Sequence, residues 1–261
     1  MKMTDYSSFQ LQDKIAIVTG PSQGIGRAIA IGLAQAGAHL VLAGRPDHQE
    51  ALKPVQAEIE ALGRKTLIVP TDVADINQIR AMIDKAKAAF GRIDVLVNNA
   101  SWTCTGPALN ATEEDYDGTM DTNVKNVFFA CQAVAKVMIP QGGGRIINIG
   151  SNFAITAFKT RAIYAAAKAA VHQLSRALSL EWAKQGVVVN VVAPCITETV
   201  SRKPILEKPG YKEWATGEKL ASGRWNQPED LVGAVLFLAS PNLSAQVVGH
   251  VLMVDAGWTI T

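Results

Sequence analysis

The residues with the clearest chemical potential are Tyr164 and Lys168, which lie four positions apart in the segment Tyr164-Ala-Ala-Ala-Lys168. On a helix, residues at this spacing share one face. A lysine cation at about 4 Å contributes roughly 4 kcal/mol at an effective dielectric of 20. At about 1.4 kcal/mol per pKa unit, it lowers a tyrosine pKa by as much as roughly 3 units before desolvation opposes the shift. Tyr164 is therefore a candidate acid or base near neutral pH.

Ser151 is the second candidate, thirteen residues before Tyr164 and directly after the apolar run 145–150. This run is typical of a buried strand, and a hydroxyl at its end can donate a hydrogen bond to a carbonyl oxygen on which charge develops. A tyrosine and a lysine on one helix face can equally be two exposed residues without a catalytic role. The elements that position them therefore decide between the two interpretations.

A glycine turn near the amino terminus predicts a nucleotide site. The β-branched apolar run Lys14–Thr19 is followed by Gly20, Gly24 and Gly26, and then by apolar residues at helical spacing. In a strand–turn–helix unit, glycines let the backbone approach a pyrophosphate, and the helix amino terminus presents free amides to it. Glycine also serves tight turns and close helix packing, so the spacing alone does not decide the function.

The end of the next strand bears on cofactor choice. The predicted strand His39–Ala43 is followed by Gly44 and Arg45. An acid at this point would bond the adenosine ribose hydroxyls and repel a 2′-phosphate, but here the acid is missing and an arginine stands beside the gap. We expect a preference for NADP(H), with NAD(H) possible. The alternative is that Arg45 is a solvated loop charge.

Polar residues follow the third and fourth predicted strands. Asp72, after Thr66–Pro70, is placed to bond the adenine amino group or to cap the helix that begins near Asp75. The strand Ile93–Val97 runs into Asn98-Asn99-Ala100, whose amides can tie neighbouring strand ends together beside a cofactor.

The predicted helical region 112–139 contains Asn123 among apolar neighbours. Asparagine is a mediocre helix former, so at this position it indicates a hydrogen-bonding role. The alternative is an exposed or merely structural asparagine. A turn at Gly142–Gly144 leads into the strand before Ser151, and the helix of Tyr164 should run to about Lys184. The sixth strand, Gly186–Ala193, breaks at Pro194.

The segment 197–226 is predicted to be a mobile lid over a pocket, because its periodicity is weak and it carries charges, prolines and tryptophans. Arg202 and the lysines of this segment either attract an anionic substrate or are solvated charges. Trp102 and Trp214 either wall the pocket or pack against the core. A helix over Pro228–Leu238 and a strand over Val251–Val254 complete the pattern.

Alternating strands and helices predict an α/β fold, a single doubly wound parallel sheet with helices on both faces, in one domain over residues 1–261. The chain has 261 residues, 48% of them apolar, and a net charge of +2. This balance gives no case for nucleic acid, and no run has the ~18 apolar residues of a membrane span. Met1–Gln10 lacks the apolar core of a signal peptide, which predicts a cytoplasmic protein. Neither the 3 cysteines nor the 4 histidines cluster, so no disulfide framework or metal site is expected.

From about residue 11 onward the sequence resembles the short-chain dehydrogenase/reductase family, particularly its sugar and polyol dehydrogenases and 3-oxoacyl reductases. The matching motifs are Thr19-Gly-x-x-x-Gly-x-Gly26, Asp72, Asn98-Asn-Ala100, Asn123, Ser151, Tyr164-x-x-x-Lys168 and the turn at Pro194. The resemblance implies a Rossmann-fold hydride-transfer enzyme, commonly a homotetramer that pairs its long helices and carboxy-terminal strands.

The same resemblance implies roles for individual residues. Tyr164 would be the acid/base, Lys168 would lower its pKa and bond the nicotinamide ribose, Ser151 would hold the substrate oxygen, and Asn123 would position a water in a proton relay. The residues expected to contact the dinucleotide are Gly20, Ser22, Gln23, Gly24, Ile25, Gly26, Arg45, Asp72, Val73, Asn99, Ala100, Tyr164, Lys168, Pro194, Thr197 and Thr199.

Three positions depart from the family pattern. Ser101 and Cys195 stand where glycine is usual, and Gly44 stands where an acid is usual. Ser101 can crowd or bond near the cofactor. If the glycine position requires a positive φ, Cys195 implies strain or an altered turn. We hypothesise that Cys195 makes activity sensitive to thiol reagents.

These observations predict an NADP(H)-preferring carbonyl reductase or alcohol dehydrogenase acting on a small-molecule ketone or secondary alcohol. The alternatives are a 3-oxoacyl thioester reductase and a non-catalytic dinucleotide sensor on the same fold. The sensor interpretation is disfavoured because a sensor needs none of the four residues Asn123, Ser151, Tyr164 and Lys168. The pattern fixes neither the substrate nor the direction of the reaction.

Overall fold

The computed structural model describes residues 9–261 and contains a seven-stranded parallel sheet with the strand order β3-β2-β1-β4-β5-β6-β7. The strands are β1 Ile15–Thr19, β2 His39–Gly44, β3 Thr66–Pro70, β4 Val95–Asn98, β5 Gly144–Ile149, β6 Val187–Pro194 and β7 Val251–Val254. The predicted doubly wound parallel sheet is confirmed. The prediction made from Met1–Gln10 rests mainly on residues 1–8, which lie outside the described part.

Nine α-helices are present in the described residues. They are α1 Gly24–Gln35, α2 Lys53–Ala61, α3 Ile76–Phe90, α4 Glu113–Met120, α5 Asn126–Met138, α6 Ala162–Trp182, α7 Lys203–Leu206, α8 Tyr211–Trp214 and α9 Val232–Ala239. Both faces of the sheet are covered, because one buried cluster contains Leu33 of α1 and Leu236 of α9 and the other contains Ile83 of α3 and Val134 of α5. The strands are accordingly near-continuous apolar runs, as burial on both faces requires.

The sheet topology locates the site. β1 pairs with β2 on one side and with β4 on the other, so that Ile17 lies opposite Val41 and Leu96. The direction of chain progression therefore reverses between β1 and β4. In open parallel sheets, ligands bind in the crevice outside the carboxyl ends of the strands at such a switch point.

Several element boundaries differ from the prediction for local reasons. A 3₁₀ segment over Pro46–Leu52 precedes α2, and Pro54 lies in the first turn of α2, where its missing N–H costs little. The predicted helix over Pro228–Leu238 likewise begins as a 3₁₀ turn, Pro228–Leu231, before α9. The predicted single helical region 112–139 is two α-helices joined by a π-helical turn, Asp121–Lys125.

The segment 197–226 begins and ends at a single bridge between Thr197 and Asn226. Between these residues lie α7, α8 and a π-helical turn, Ala215–Lys219, rather than an irregular loop. No helix within residues 9–261 combines the length and hydropathy that crossing a bilayer requires.

Candidate active site

One cavity of about 830 Å³ lies at the carboxyl ends of the strands. It is bordered by the glycine turn, the strand ends, the start of α6 and the segment 197–226. Every residue expected to contact the dinucleotide lines it, together with Ser151. Asn123 is the predicted site residue that does not line the cavity.

The glycine turn has the shape that a pyrophosphate needs. A side chain at Gly26 would collide with the Gly20 carbonyl oxygen and the Asn99 amide, and one at Gly24 would meet Thr199. Gln23, at the amino-terminal cap of α1, makes no side-chain capping bond, and the first turn of α1 contains no acid. The free N–H groups at this helix end therefore suit an anion.

Strand ends beside the turn are tied together by Asn99, as predicted. Its amide nitrogen donates to the Thr19 carbonyl at 2.9 Å and to the Gly20 carbonyl at 3.1 Å. The Thr19 hydroxyl in turn accepts from the backbone N–H groups of Asn99 and Ala100, both at 3.0 Å. This network fixes the glycine turn against the end of β4.

The two alternatives for Asp72 are separated by its neighbours. Asp75, rather than Asp72, caps α3, because its carboxylate accepts from the backbone N–H of Asn77 at 2.8 Å. Asp72 accepts from the Ala74 N–H at 3.0 Å and lines the cavity. The carboxylate of Asp72 thus remains available to a ligand.

Arg45 has an acidic partner that was not predicted from the sequence. Its guanidinium donates to both carboxylate oxygens of Asp47, at 3.1 and 2.9 Å. The two side chains are 62% and 56% exposed. An ion pair this exposed contributes little to stability, so Arg45 can exchange Asp47 for a phosphate.

The side chains of Ser151, Tyr164 and Lys168 line the cavity together. The Ser151 hydroxyl accepts from the Phe153 N–H at 3.2 Å and lies 3.4 Å from the Asn152 amide oxygen. Lys168 is 4% exposed, and its ammonium donates to the Ile149 carbonyl at 2.8 Å. The same ammonium lies 5.7 Å from the centre of the Tyr164 ring.

The pKa of Tyr164 departs from our expectation. Burial raises it, and the groups that oppose burial are Arg202, the Ser151 hydroxyl and Arg161, not Lys168. Desolvation also lowers the pKa of Lys168 to about 8. The four-residue spacing correctly predicted that Tyr164 and Lys168 share one face of the helix. It does not predict that the ammonium of Lys168 binds the Ile149 carbonyl, or that burial has the largest effect on the pKa of Tyr164.

Asn123 lies in the π-helical turn and is 1% exposed. Its amide nitrogen donates to the carbonyls of Trp102, at 2.5 Å, and Thr119, at 2.8 Å. Its amide oxygen has no hydrogen-bond partner among the described residues. The amide oxygens of Asn98 and Asn126 are also buried without a partner in this part of the chain, and a buried acceptor of this kind suits a bound water.

Several residues that line the cavity were not predicted from the sequence. Phe153, Phe158, Arg161 and Tyr211 border it, and of these Arg161 is a buried cation. The sequence feature that could have identified Arg161 is its position three residues before Tyr164. Trp102 lines the cavity, whereas Trp214 packs on other aromatic rings. Its ring centre lies 6.0 Å from that of Phe158, 5.9 Å from that of Trp258 and 5.5 Å from that of Tyr211.

The structure argues against thiol sensitivity at Cys195. Burial, assisted by the charge of Asp255, raises the pKa of the Cys195 thiol to about 12, so almost no reactive thiolate forms at neutral pH. Among residues 9–261, the non-glycine residues with positive φ do not include Cys195 or Ser101, so neither position carries the strain considered above. Both side chains line the cavity.

Comparison with known proteins agrees with this architecture. The family model described as enoyl-(acyl carrier protein) reductase matches residues 20–259. The chain is similar to 2-dehydro-3-deoxy-D-gluconate 5-dehydrogenase of Escherichia coli (strain K12), with 39% identity over 97% of this chain and 98% of the relative. It is also similar to gluconate 5-dehydrogenase of Gluconobacter oxydans (strain 621H), with 38% identity over 97% of each chain.

A solved structure extends the likeness to three dimensions. A gluconate 5-dehydrogenase from Burkholderia cenocepacia J2315, crystallised with NADP and tartrate, superposes with a TM-score of 0.91 at 36% identity and 98% coverage of both chains. The fold, the glycine turn and these relatives lead to one conclusion: the chain belongs to the short-chain dehydrogenase/reductase family and is an oxidoreductase of that type.

Proposed function

We propose that the protein transfers a hydride between NADP(H) and a secondary alcohol or ketone, with Tyr164 as the acid/base. The observation that carries this proposal is that one cavity collects Ser151, Tyr164 and Lys168 together with the glycine turn. When bound, the nicotinamide supplies the hydride donor or acceptor. The proton of the alcohol is exchanged by the protein.

Each of the four site residues has a distinct task in this proposal. The Tyr164 hydroxyl gives or takes the proton, and the Ser151 hydroxyl donates to the substrate oxygen. Lys168 spends one of its three donors on the Ile149 carbonyl and keeps two for a ribose. Asn123, with its unpartnered buried oxygen, positions a water that relays the proton.

A preference for NADP(H) is part of the proposal. Arg45 lies at the end of β2 in the cavity wall, and Asp47 is a partner that a 2′-phosphate can replace. The crystallised Burkholderia relative bound NADP. Arg45→Ala should therefore lower kcat/KM for NADP(H) by about 10-fold or more, because a charge-assisted contact is lost, and should change kcat/KM for NAD(H) little.

The names of the relatives favour a sugar acid as the substrate. The second candidate is a 3-oxoacyl thioester reductase, because the matching family model describes an acyl-carrier-protein enzyme. The substrate of the first candidate, a sugar-acid dehydrogenase, carries a carboxylate, whereas the substrate of a 3-oxoacyl thioester reductase carries a long acyl chain.

A substrate screen tests the proposed function. NADPH oxidation is measured with keto-sugars, keto-acids, oxoacyl thioesters and small cyclic ketones, and NADP⁺ reduction with the matching alcohols. We expect turnover of a sugar-acid pair. Preferential turnover of oxoacyl thioesters would select the second candidate, and tight NADPH binding without turnover of any compound would leave a dinucleotide sensor.

Assembly, location and the lid complete the proposal. We infer a homotetramer because β7 is an edge strand and because large apolar side chains are exposed, with Leu180 of α6 84% and Ile260 83% exposed. The segment 197–226 acts as a lid within a single domain of residues 1–261, since several of its residues border the cavity. We also propose a cytoplasmic location, as expected from the sequence.

A further inference from the structure

Arg161 is a buried cation in the wall of the cavity, and it is not one of the four residues to which the proposed function assigns a task. It is 7% exposed and lies three residues before Tyr164, at the amino-terminal cap of α6. Its guanidinium donates to the hydroxyls of Thr103, at 3.3 Å, and Thr105. Both acceptors are neutral, so the charge itself has no counterpart in these bonds.

Arg161 differs from most other arginines of the chain in lacking an acid. Five arginines form ion pairs with carboxylates, namely Arg27, Arg45, Arg64, Arg92 and Arg224. Within residues 9–261, neither Arg161 nor Arg202 lies within salt-bridge distance of a carboxylate, although both line the cavity. A buried guanidinium without a counterion is costly, so its retention indicates a function.

The charges of Arg161 and Arg202 both influence the pKa of Tyr164. Burial lowers the pKa of Arg161, and the neighbouring charge of Arg202 lowers it further. Both charges also reach Tyr164, where they oppose the effect of burial on the phenol. The part of the cavity wall beside the Tyr164 hydroxyl therefore has a positive electrostatic potential. Among residues 9–261, the carboxylates that line the cavity are Asp72, which follows β3, and Glu114, which is exposed.

The backbone before Arg161 is strained. Thr160, which lines the cavity, has a φ of 66°, a conformation that β-branched residues rarely adopt. Such strain persists only where the surroundings hold it, and it concentrates at ligand sites. In addition, Asn152 is 2% exposed and borders the cavity, and its amide nitrogen has no partner in the described part of the chain. It is a donor suited to a hydroxylated substrate.

We propose that Arg161, assisted by Arg202, binds the carboxylate of the substrate and so makes the enzyme selective for a hydroxy- or keto-acid over a neutral polyol or an acyl thioester. A carboxylate matches the planar fork of a guanidinium and supplies the missing counterion. The inference rests on the proposed function for its kinetic test, but its binding test is independent of turnover.

The kinetic test compares gluconate with glucitol, in which a hydroxymethyl group replaces the carboxylate. For Arg161→Gln, kcat/KM for gluconate should fall by about 100-fold, mainly through KM, because a charge-assisted contact is lost. The value for glucitol should fall by about 10-fold or less, because glucitol loses only the effect of Arg161 on the pKa of Tyr164, which gluconate loses as well. Arg161→Lys, which keeps the charge, should retain part of the preference for the acid. Arg176→Gln removes an exposed arginine of the same helix and is the matched control.

Two further variants and a titration separate recognition from a structural role. Thr105→Val removes a loop contact of Arg161 but keeps the charge, so the preference for gluconate over glucitol should persist. Calorimetric titration of the NADPH-loaded enzyme with tartrate needs no turnover. Arg161→Gln should weaken tartrate binding by about 10-fold or more and leave NADPH affinity unchanged.

Several results would overturn the assignment. An equal loss with gluconate and glucitol would show a structural role for Arg161, and a loss of NADPH affinity in place of tartrate affinity would show a cofactor contact. Absence of tartrate binding by the wild-type enzyme, or unchanged binding by Arg161→Gln, would also contradict it. If no alcohol or ketone is turned over, the proposed function fails, and the tartrate titration still decides the role of Arg161.

Discussion

At the scale of single residues, the cavity is governed by burial of charge. Tyr164 has its pKa raised by burial, while Lys168 has its pKa lowered to about 8. These shifts mean that each group is easier to neutralise than in water. For Tyr164 the two guanidinium groups of Arg161 and Arg202 restore part of the acidity. The charges that favour the phenolate of Tyr164 are therefore those of two arginines in the cavity wall, and not the expected charge of Lys168.

The buried ammonium of Lys168 should cost stability at neutral pH. Its pKa of about 8 lies below its ordinary value of 10.5, so between these pH values the unfolded chain binds the extra proton and stability rises with pH. The full cost is about 3 kcal/mol, and loss of the hydrogen bond to Ile149 offsets about 1 kcal/mol of it. Lys168→Met should therefore raise the free energy of unfolding by about 1–2 kcal/mol at pH 7 and abolish most activity.

Urea unfolding at pH 7 and pH 9 measures this effect. The advantage of Lys168→Met should shrink at pH 9, and Lys136→Met, at an exposed position of α5, should change stability little at either pH. A variant less stable than the wild type at pH 7 would show that the lysine is better compensated than its burial indicates.

At the scale of elements, the joint between β1 and α1 depends on the absence of a side chain at Gly26. Gly26→Ala should raise the Kd for NADPH by about 10-fold or more and lower stability by about 1–3 kcal/mol, because the new methyl meets the Gly20 carbonyl and the Asn99 amide. Fluorescence titration with NADPH and urea unfolding measure the two effects.

Gly233 of α9 provides the matched control. A methyl there meets no atom within 4 Å in the described part of the chain beyond its own helical turn. Gly233→Ala should therefore leave NADPH binding unchanged and raise stability by about 0.5–1 kcal/mol through helix propensity. Equal behaviour of the two variants would remove the steric argument for the glycine turn.

Helices and strands were predicted well where the apolar residues follow a single spacing along the sequence. β3 and β7 have the predicted limits because each is a short apolar run bounded by clear turn residues. The π-helical turn at Asp121–Lys125 was not predictable, since an inserted residue leaves the apolar spacing on both sides nearly intact. The role of Asn123 within it depends on contacts with Trp102, twenty-one residues earlier in the chain.

The predicted site residues were brought together for a topological reason. Parallel strands place their carboxyl ends at one edge of the sheet, so residues that follow strands converge without further information. The roles of Arg161 and of Asp47, the partner of Arg45, were not predicted. The role of a charged side chain depends on its burial and on its neighbours in space, and the composition of the chain contains neither. The pKa of Tyr164 was misjudged for the same reason.

At the scale of the whole molecule, a buried histidine should make folding sensitive to acid. His172 is 2% exposed, and burial, helped by the charges of Arg176 and Lys168, lowers its pKa to about 4. Between pH 6.5 and 4 the unfolded chain binds a proton that the folded chain excludes, so stability falls as the pH falls through this window. The contribution of this group reaches about 3 kcal/mol.

His172→Gln should reduce the loss of stability between pH 6.5 and pH 4.5, measured by urea unfolding at each pH. His250→Gln, which replaces an exposed histidine, is the matched control. An identical pH dependence in His172→Gln and the wild type would show that other groups control acid unfolding.

The central claim is that the Tyr164 hydroxyl exchanges the proton beside a bound nicotinamide. Tyr164→Phe keeps the ring and removes only this hydroxyl, so the most direct measurement is its turnover of the best substrate from the screen, together with its Kd for NADPH. The account predicts a loss of kcat of about 1,000-fold or more, as removal of an acid/base requires, with the Kd within about twofold of the wild type. Turnover retained within about 10-fold, with NADPH bound normally, would contradict it.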